Sequence, residues 1–117
     1  MSKELSNGVS KRAGRAHSLI LKLAADFIKR EIDAVGVLVT ATRIEITPGF
    51  KEAKIFISVW PEGGEKEIMR SLENSKKELY KYMKEHFKIK YMPVFEFKID
   101  KGEKARLKVE EILKKEK

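Results

Sequence analysis

The chain has 117 residues, 42% of them hydrophobic and 38% charged, which allows one globular domain with a modest core and a heavily charged surface. It contains no cysteine, which excludes disulfides, thiolate chemistry and cysteine-based zinc sites. The longest apolar stretch, residues 18–28, is interrupted by Lys22 and Asp26 and is too short to cross a membrane. Residues 1–10 lack the apolar centre of a secretory signal, so we expect a cytoplasmic protein with no membrane partner.

Charge is the most informative bulk property. Twenty-six basic residues against eighteen acidic ones give a net charge of +8. Such a field attracts polyanions, either nucleic acid or an anionic membrane surface. The alternative is a surface rich in lysine and glutamate that serves solubility or heat resistance. The positions of the charges along the chain must distinguish these two interpretations.

The first half of the chain predicts a helix followed by a β-hairpin. Residues 1–10 are polar and we expect a mobile tail there, whereas polar side chains at steps of three and four predict an amphipathic helix over residues 11–32. Residues 35–46 are rich in β-branched side chains and predict a strand, which ends at a Thr47-Pro48-Gly49 turn. The next strand alternates, so its buried face comprises Ala53, Ile55, Ile57 and Val59.

The second half predicts two helices that meet at a kink, then a strand and a terminal helix. Residues 65–73 and 76–87 share one apolar stripe, which Ser75 interrupts, and Ser75 with Glu78 matches a capping box. A single continuous helix with the serine bonded to its own backbone is the alternative. Residues 88–100 predict a strand with Pro93 at its start or edge, and residues 103–117 predict a short helix after a break at Gly102.

The resulting order is αββααβ with an added terminal helix. This is an α+β fold in which helices cover one face of a three-stranded sheet. We expect a tail at residues 1–10, one domain at 11–100 and a helical extension at 101–117.

No combination of residues in the sequence suits catalysis or a bound cofactor. His17 and His86 lie on different predicted helices, and lone histidines are more often packing or surface residues than ligands. Neither a P-loop nor a dinucleotide-binding glycine pattern is present. We therefore expect no enzymatic activity, metal, cofactor or small-molecule substrate.

Basic side chains concentrate on the second of the paired helices. Lysines spaced by four, three and four residues line one face of it, and further basic residues flank its start, where unpaired N–H groups favour an anion. A bound phosphate would also relieve the repulsion between the helix dipole and the lysines at that start. The candidate RNA contacts are Arg70, Ser75, Lys76, Lys77, Lys81, Lys84, Lys88 and Lys90, with Lys11, Arg12 and Arg15 at the first helix as a second contact. A solvated lysine face is the alternative.

The aromatic residues leave two interpretations open. Tyr80 and Tyr91, which lie among the lysines, are placed either to stack on bases or to pack inside the domain. Phe56 and Trp60 project from the outer face of the second strand, where they form a partner surface or are covered by the terminal helix.

Three blocks of sequence, in their order and spacing, resemble the ribosome-binding factor A family, whose fold is of the type II KH class. The first is Lys29-Arg30-Glu31-Ile32, which ends the first helix, and the second is VTATRIEITP at residues 39–48 leading into AKIFISV at residues 53–59. The third is the spacing from LENS at residues 72–75 to KIKYMPVFEF at residues 88–97. The resemblance runs from about residue 11 to residue 113.

The resemblance implies an RNA-binding assembly factor without nucleotide hydrolysis that binds the maturing 30S subunit near the ends of 16S rRNA late in its assembly. We also expect a monomer. Two departures stand out. The family's Ala-x-Gly interruption between the paired helices is replaced by Ser75-Lys76-Lys77, and the Asp-Pro-Arg segment after the first helix is shortened to residues 32–36. A general KH-like RNA binder is an alternative that the missing GxxG loop argues against. A protein-interaction module that uses Phe56, Trp60 and the first helix is another.

Overall fold

The structure, a computed structural model, describes residues 2–32, 36–88 and 91–115, with side chains described in these ranges except at residues 2–14, 62, 107, 111, 114 and 115. The elements occur in the predicted order. They are α1 (Ser2–Glu31), β1 (Leu38–Ile46), β2 (Glu52–Trp60), α2 (Glu65–Asn74), α3 (Lys76–His86), β3 (Val94–Ile99) and α4 (Lys101–Lys115).

Helix α1 is longer than predicted. It begins at Ser2, so the segment expected as a mobile tail is helical and the expected start at Lys11 is wrong. The segment contains no proline, and Gly8 inside a helix costs only about 1 kcal/mol relative to alanine. A helix that is already stable after Lys11 therefore extends toward the start of the chain.

The core lies between the helices and one face of the sheet. Helix α1 buries the apolar face that its periodicity predicts, namely Ile20, Leu23, Ala24, Phe27 and Ile28. Strand β2 buries its alternate residues against them, confirming the predicted inner face of Ala53, Ile55, Ile57 and Val59. Helices α2 and α3 complete the layer with Ile68, Leu72, Leu79 and Met83.

The three strands are ordered β1-β2-β3, with β2 in the centre. Strand β1 pairs antiparallel to β2, with an irregularity between Ala41 and Arg43, and β3 pairs parallel to β2. Strand β3 begins at Val94, later than predicted, because Pro93 directly before it has no amide hydrogen to donate to a ladder. Pro93 itself is buried.

Helix α4 starts at Lys101, so the predicted break at Gly102 is wrong. The reason is that Asp100 acts as its N-cap. The Glu103 amide donates to Asp100 Oδ1 over 3.1 Å, which satisfies one of the free N–H groups of the first turn. Gly102 therefore lies inside the first turn of α4.

Asp100 also connects α4 to the sheet. Its side chain is only 10% exposed, and its Oδ2 accepts a 2.6 Å hydrogen bond from the Thr42 hydroxyl and lies 3.5 Å from Arg43 Nε. The Asp100 amide donates to the Ile57 carbonyl over 2.9 Å. The carboxylate of Asp100 thus links β1 to α4, and its backbone amide joins the same residue to β2.

We expect Asp100→Ala to destabilise the domain by about 2 kcal/mol, because it removes a helix cap and a buried hydrogen bond together. The hydrogen bond from Thr42, the Glu103 amide and the Arg43 charge hold the pKa of the Asp100 carboxyl below its ordinary value, against the opposing effect of burial. This stabilisation is present above the ordinary pKa and is lost as the pH falls through the lower pKa of the folded state. Chemical denaturation at neutral and acid pH measures both effects.

The control is Asp26→Ala, which removes an exposed carboxylate from α1. It should change the free energy of unfolding by less than about 0.5 kcal/mol. Equal unfolding curves for the two variants at neutral pH would contradict the role of Asp100.

Candidate nucleic-acid interface

Helices α2 and α3 meet at Ser75, which confirms the predicted kink. Ser75 has φ −95° and ψ 4°, outside the regular helical range. Its amide donates to the carbonyls of Ser71 and Leu72 over 3.0 and 3.1 Å, and its carbonyl accepts from the Leu79 amide over 2.9 Å. Backbone hydrogen bonds therefore continue through the junction while the chain changes direction at one residue.

The predicted capping box at Ser75 and Glu78 is wrong. The structure records no side-chain cap hydrogen bond from Ser75 at the start of α3. An N-cap serine needs an extended backbone, whereas the amide of Ser75 is bonded to α2 and its φ −95° and ψ 4° are not extended. The kink is real, but the serine hydroxyl does not stabilise it in the predicted way.

One face of α3 carries three exposed lysines, Lys77, Lys81 and Lys84, which we call the basic face. The opposite face is anchored in the core by Leu79 and Met83, both 0% exposed. The helix is therefore held rigidly with the lysines directed to solvent.

Lys88 was predicted to lie on the same helical face, and this is wrong. Helix α3 ends at His86, and Phe87 has an extended backbone with φ −133° and ψ 101°. Lys88 is exposed, but it follows the helix and does not extend its lysine row.

Lys76 differs from its neighbours because it is half-buried and paired. Its ammonium lies 2.9 Å from Glu73 Oε2, across the junction between α2 and α3. This pair reduces the expected repulsion between Lys76 and the start of α3. Exposed pairs of this kind contribute only about 0–1 kcal/mol, so Lys76 can exchange Glu73 for a phosphate at little cost.

Tyr80 is turned inward, so the interpretation that it stacks on bases is wrong. Its hydroxyl oxygen accepts a 2.8 Å hydrogen bond from the Phe95 amide, and its ring centroid lies 5.1 Å from that of Phe95. The side chain packs α3 against β3. Tyr91, the other candidate, is 74% exposed.

A narrow groove of about 250 Å³ separates α3 from α1 and brings together both signs of charge. Lys81 lines it together with Glu78 and Glu85, while α1 contributes Arg30, whose guanidinium carbon lies 5.4 Å from the centre of the Tyr82 ring. Sequence reasoning missed Arg30 as a candidate contact, because the proximity of α1 and α3 is set by packing and leaves no local signal.

The remaining candidates are spread over other parts of the chain. Arg70 is exposed on α2, before the kink. Arg15 is exposed on α1, about 18 Å along the helix from Phe27, which contacts Tyr82 of α3. The structure therefore does not place Arg15 beside the middle of the basic face. The side chains of Lys11 and Arg12, and the whole of Lys90, lie outside the described residues.

The outer face of the sheet is partly covered. The Arg43 guanidinium carbon lies 3.7 Å from the centre of the Phe56 ring, and Trp60 lines a groove of about 260 Å³ with Glu103 and Arg106 of α4. Both aromatic residues are half-buried. Phe56 is therefore covered by Arg43, while the position of α4 across the groove from Trp60 favours cover from the terminal helix over a partner surface.

Both histidines bond to backbone carbonyls: His17 Nε2 lies 2.5 Å from the Ile44 oxygen, and His86 Nδ1, on an exposed side chain, lies 2.9 Å from the Tyr82 oxygen. Within the ranges described above, no group of three histidine or acidic side chains is arranged to hold a metal ion. In those ranges, no helix has the length and apolar character needed to cross a membrane.

Comparison with known proteins gives the family. The family model described as Ribosome-binding factor A matches residues 12–113. The chain belongs to the ribosome-binding factor A family. Among its relatives, the ribosome-binding factor A of Halothermothrix orenii is 31% identical over 106 residues, covering 89% of this chain and 87% of the relative. That of Coxiella burnetii is 28% identical over 113 residues, covering 92% and 95%.

Solved structures of similar proteins share the fold. The crystal structure of ribosome-binding factor A from Thermus thermophilus matches with a TM-score of 0.64 at 14% identity, over 74% of this chain and 93% of that one. The solution structure of a putative ribosome binding factor A from Thermotoga maritima matches with a TM-score of 0.60 at 22% identity, over 73% and 83%. The predicted α+β, KH-like fold is confirmed.

We expect Tyr80→Phe to lower the free energy of unfolding by about 1–3 kcal/mol, because it leaves the partly buried amide of Phe95 without its acceptor. RNA affinity of the folded variant should be unchanged. The control is Tyr82→Phe, which removes the hydroxyl oxygen from another tyrosine of α3. A Tyr80→Phe variant with wild-type stability and weakened RNA binding would restore the stacking interpretation.

Proposed function

We propose that this protein is a non-catalytic RNA-binding ribosome assembly factor that binds the maturing 30S subunit through 16S rRNA late in its assembly. In this proposal it acts as a cytoplasmic monomer without cofactor or small-molecule substrate. Family membership supports a ribosome-directed role. The observation that carries the mode of binding is the exposed basic face of α3, opposite a side fixed in the core.

The charge balance of α3 favours a phosphate backbone as the ligand. The helix contains four lysines and two glutamates, so it carries a net charge of +2 with neutral histidine. Lysine ammonium groups neutralise phosphates without reading sequence, and the release of counterions drives the association. Glu78 and Glu85 lie beside the lysines and weaken the field, which favours a moderate and salt-sensitive affinity.

The remaining proposed contacts lie outside the basic face. Arg70 is exposed on α2 and Ser75 lies at the kink, where Lys76 is also available once it leaves Glu73. Lys88, which is exposed, and Lys90 follow α3 in the sequence. The second contact that we propose consists of Lys11, Arg12 and Arg15 of α1.

We expect the protein to co-sediment with free 30S subunits, with an affinity that falls steeply as salt rises. Three phosphate contacts predict an affinity loss of roughly 20- to 40-fold between 50 and 200 mM salt, since each contact adds about 0.7–0.9 to the logarithmic slope. A short single-stranded RNA and assembled 70S ribosomes are the comparison ligands, and both should bind more weakly. Binding that persists unchanged in concentrated salt, or that prefers 70S ribosomes, would count against the proposal.

Charge reversal on the basic face tests its role directly. The double variant Lys77→Glu/Lys84→Glu should reduce the salt slope of 30S binding by about 1.4–1.8, because two phosphate contacts are lost. The thermal unfolding of the variant should stay close to wild type, since both side chains are exposed.

The matched control is Lys101→Glu/Lys108→Glu, which makes the same change in net charge at two exposed positions of α4. It should lower the affinity for 30S subunits only through the change in net charge, and the salt slope of 30S binding should stay near its wild-type value. If both double variants change the slope equally, the lysines of α3 are a general solubilising charge and not a contact surface.

A further inference from the structure

A cavity of about 710 Å³ opens beneath the turn that joins β1 to β2. It lies apart from the groove between α1 and α3, toward the point where α3 ends, since the Phe50 ring of the turn lies 6.4 Å from that of Phe87. Its lining comes from α1, from the end of β1 and from the turn, and comprises His17, Ile44, Glu45, Ile46, Thr47, Pro48, Gly49 and Phe50.

The walls of this cavity suit a flat, partly apolar group. Ile46, Pro48 and Phe50 supply apolar surface, and Phe50 is held at φ 60°, a conformation that is rare for a bulky residue. Its amide donates to the Thr47 carbonyl over 3.0 Å, which fixes the turn. The aromatic ring lies beside that of Phe87 and lines the cavity.

One polar side chain of the lining is bonded to the sheet. His17 Nε2 lies 2.5 Å from the Ile44 carbonyl oxygen, which can only accept, so Nε2 donates this hydrogen bond. The site therefore combines an aromatic wall with a polar ring, and sites for nucleobases combine aromatic and polar side chains in this way.

The charges around the opening are complementary to a phosphate. Lys51 is exposed, and its side chain passes 3.8 Å from the position that a Cβ on Gly49 would occupy, which places it at the rim. Lys88, also exposed, follows Phe87 directly. The acid of the lining, Glu45, is paired with Arg43 and so does not offset these cations.

We propose that this cavity holds one unpaired base of the bound RNA, with the base against Phe50 and the adjoining phosphate against Lys51. The inference rests on the proposed function and extends it from backbone contacts to a base contact. A second copy of this chain is a poor occupant, because two molecules of charge +8 repel each other. RNA instead supplies both a planar ring for the aromatic wall and a negative charge for Lys51 and Lys88.

The test uses the full chain bound to free 30S subunits. Ultraviolet irradiation followed by peptide mapping should find a nucleotide attached to the peptide that contains Phe50. Ile46→Trp fills the cavity and should weaken 30S binding by about tenfold, the size expected for loss of one stacked base. Leu38→Trp makes the same kind of change at the other end of β1, at a residue that is 66% exposed, and should bind within about twofold of wild type.

A second pair of variants covers the case in which Ile46→Trp does not fold. Phe50→Leu removes the ring and should lose binding in the same way, whereas Phe50→Tyr keeps the ring and should retain it. Wild-type binding by both Ile46→Trp and Phe50→Leu, with no cross-link in the turn, would overturn the base site and leave the proposed 30S binding intact. Failure of the wild-type chain to bind 30S subunits would instead overturn the proposed function, and the base site with it.

Discussion

Burial of one face of β2 against the helices is the constraint on which the other features of the domain depend. Ala53, Ile55 and Ile57 are 0% exposed in the central strand, and a large apolar side chain so buried contributes about 1.5–3 kcal/mol. A slip of one residue would move this whole set to the outer face, so the register with β1 and β3 is strongly specified. The same core takes up Leu79 and Met83 of α3. The orientation of the basic face is therefore a consequence of core packing.

The outer face of the sheet is organised by polar contacts instead. Asp100 caps α4 and holds it to Thr42, while three apolar residues of α4, Val109, Ile112 and Leu113, are each at least 50% exposed. Helix α4 therefore adds little to the core, and its position depends on the contacts of its first turn, which include Lys104 to Glu65. A change in α4 can leave α3 in place because α3 is anchored in the core by Leu79 and Met83, whereas these apolar residues of α4 lie outside the core.

Periodicity predicted those parts of the fold in which a pattern of apolar side chains is compatible with only one type of secondary structure. The alternation in β2 and the apolar stripe of α1 are such cases. Ser75 and Asp100 show the limit, because both begin a pattern with glutamate three residues later, yet only Asp100 caps a helix. The difference is the backbone conformation, which the neighbouring element imposes. The role of Tyr80 was not predicted for a related reason. A tyrosine can pack in a core when its hydroxyl has a partner, and it can also stack on a base. Only the position of the Phe95 amide, which tertiary packing sets, distinguishes the two roles.

The arrangement of charge on α3 bears on how selective the proposed binding can be. Exposed lysines on a rigid helix recognise the spacing of phosphates and not the identity of bases, so the basic face alone would bind many folded RNAs with similar strength. Glu78 and Glu85 reduce that general affinity, because they repel the phosphates of any RNA backbone that is not aligned with the lysines. Selectivity for one RNA surface then requires a second contact that reads shape or an unpaired base. The cavity beside Phe50 lies beyond the end of α3, so an RNA that engages both must present an exposed base at a fixed distance from a regular backbone.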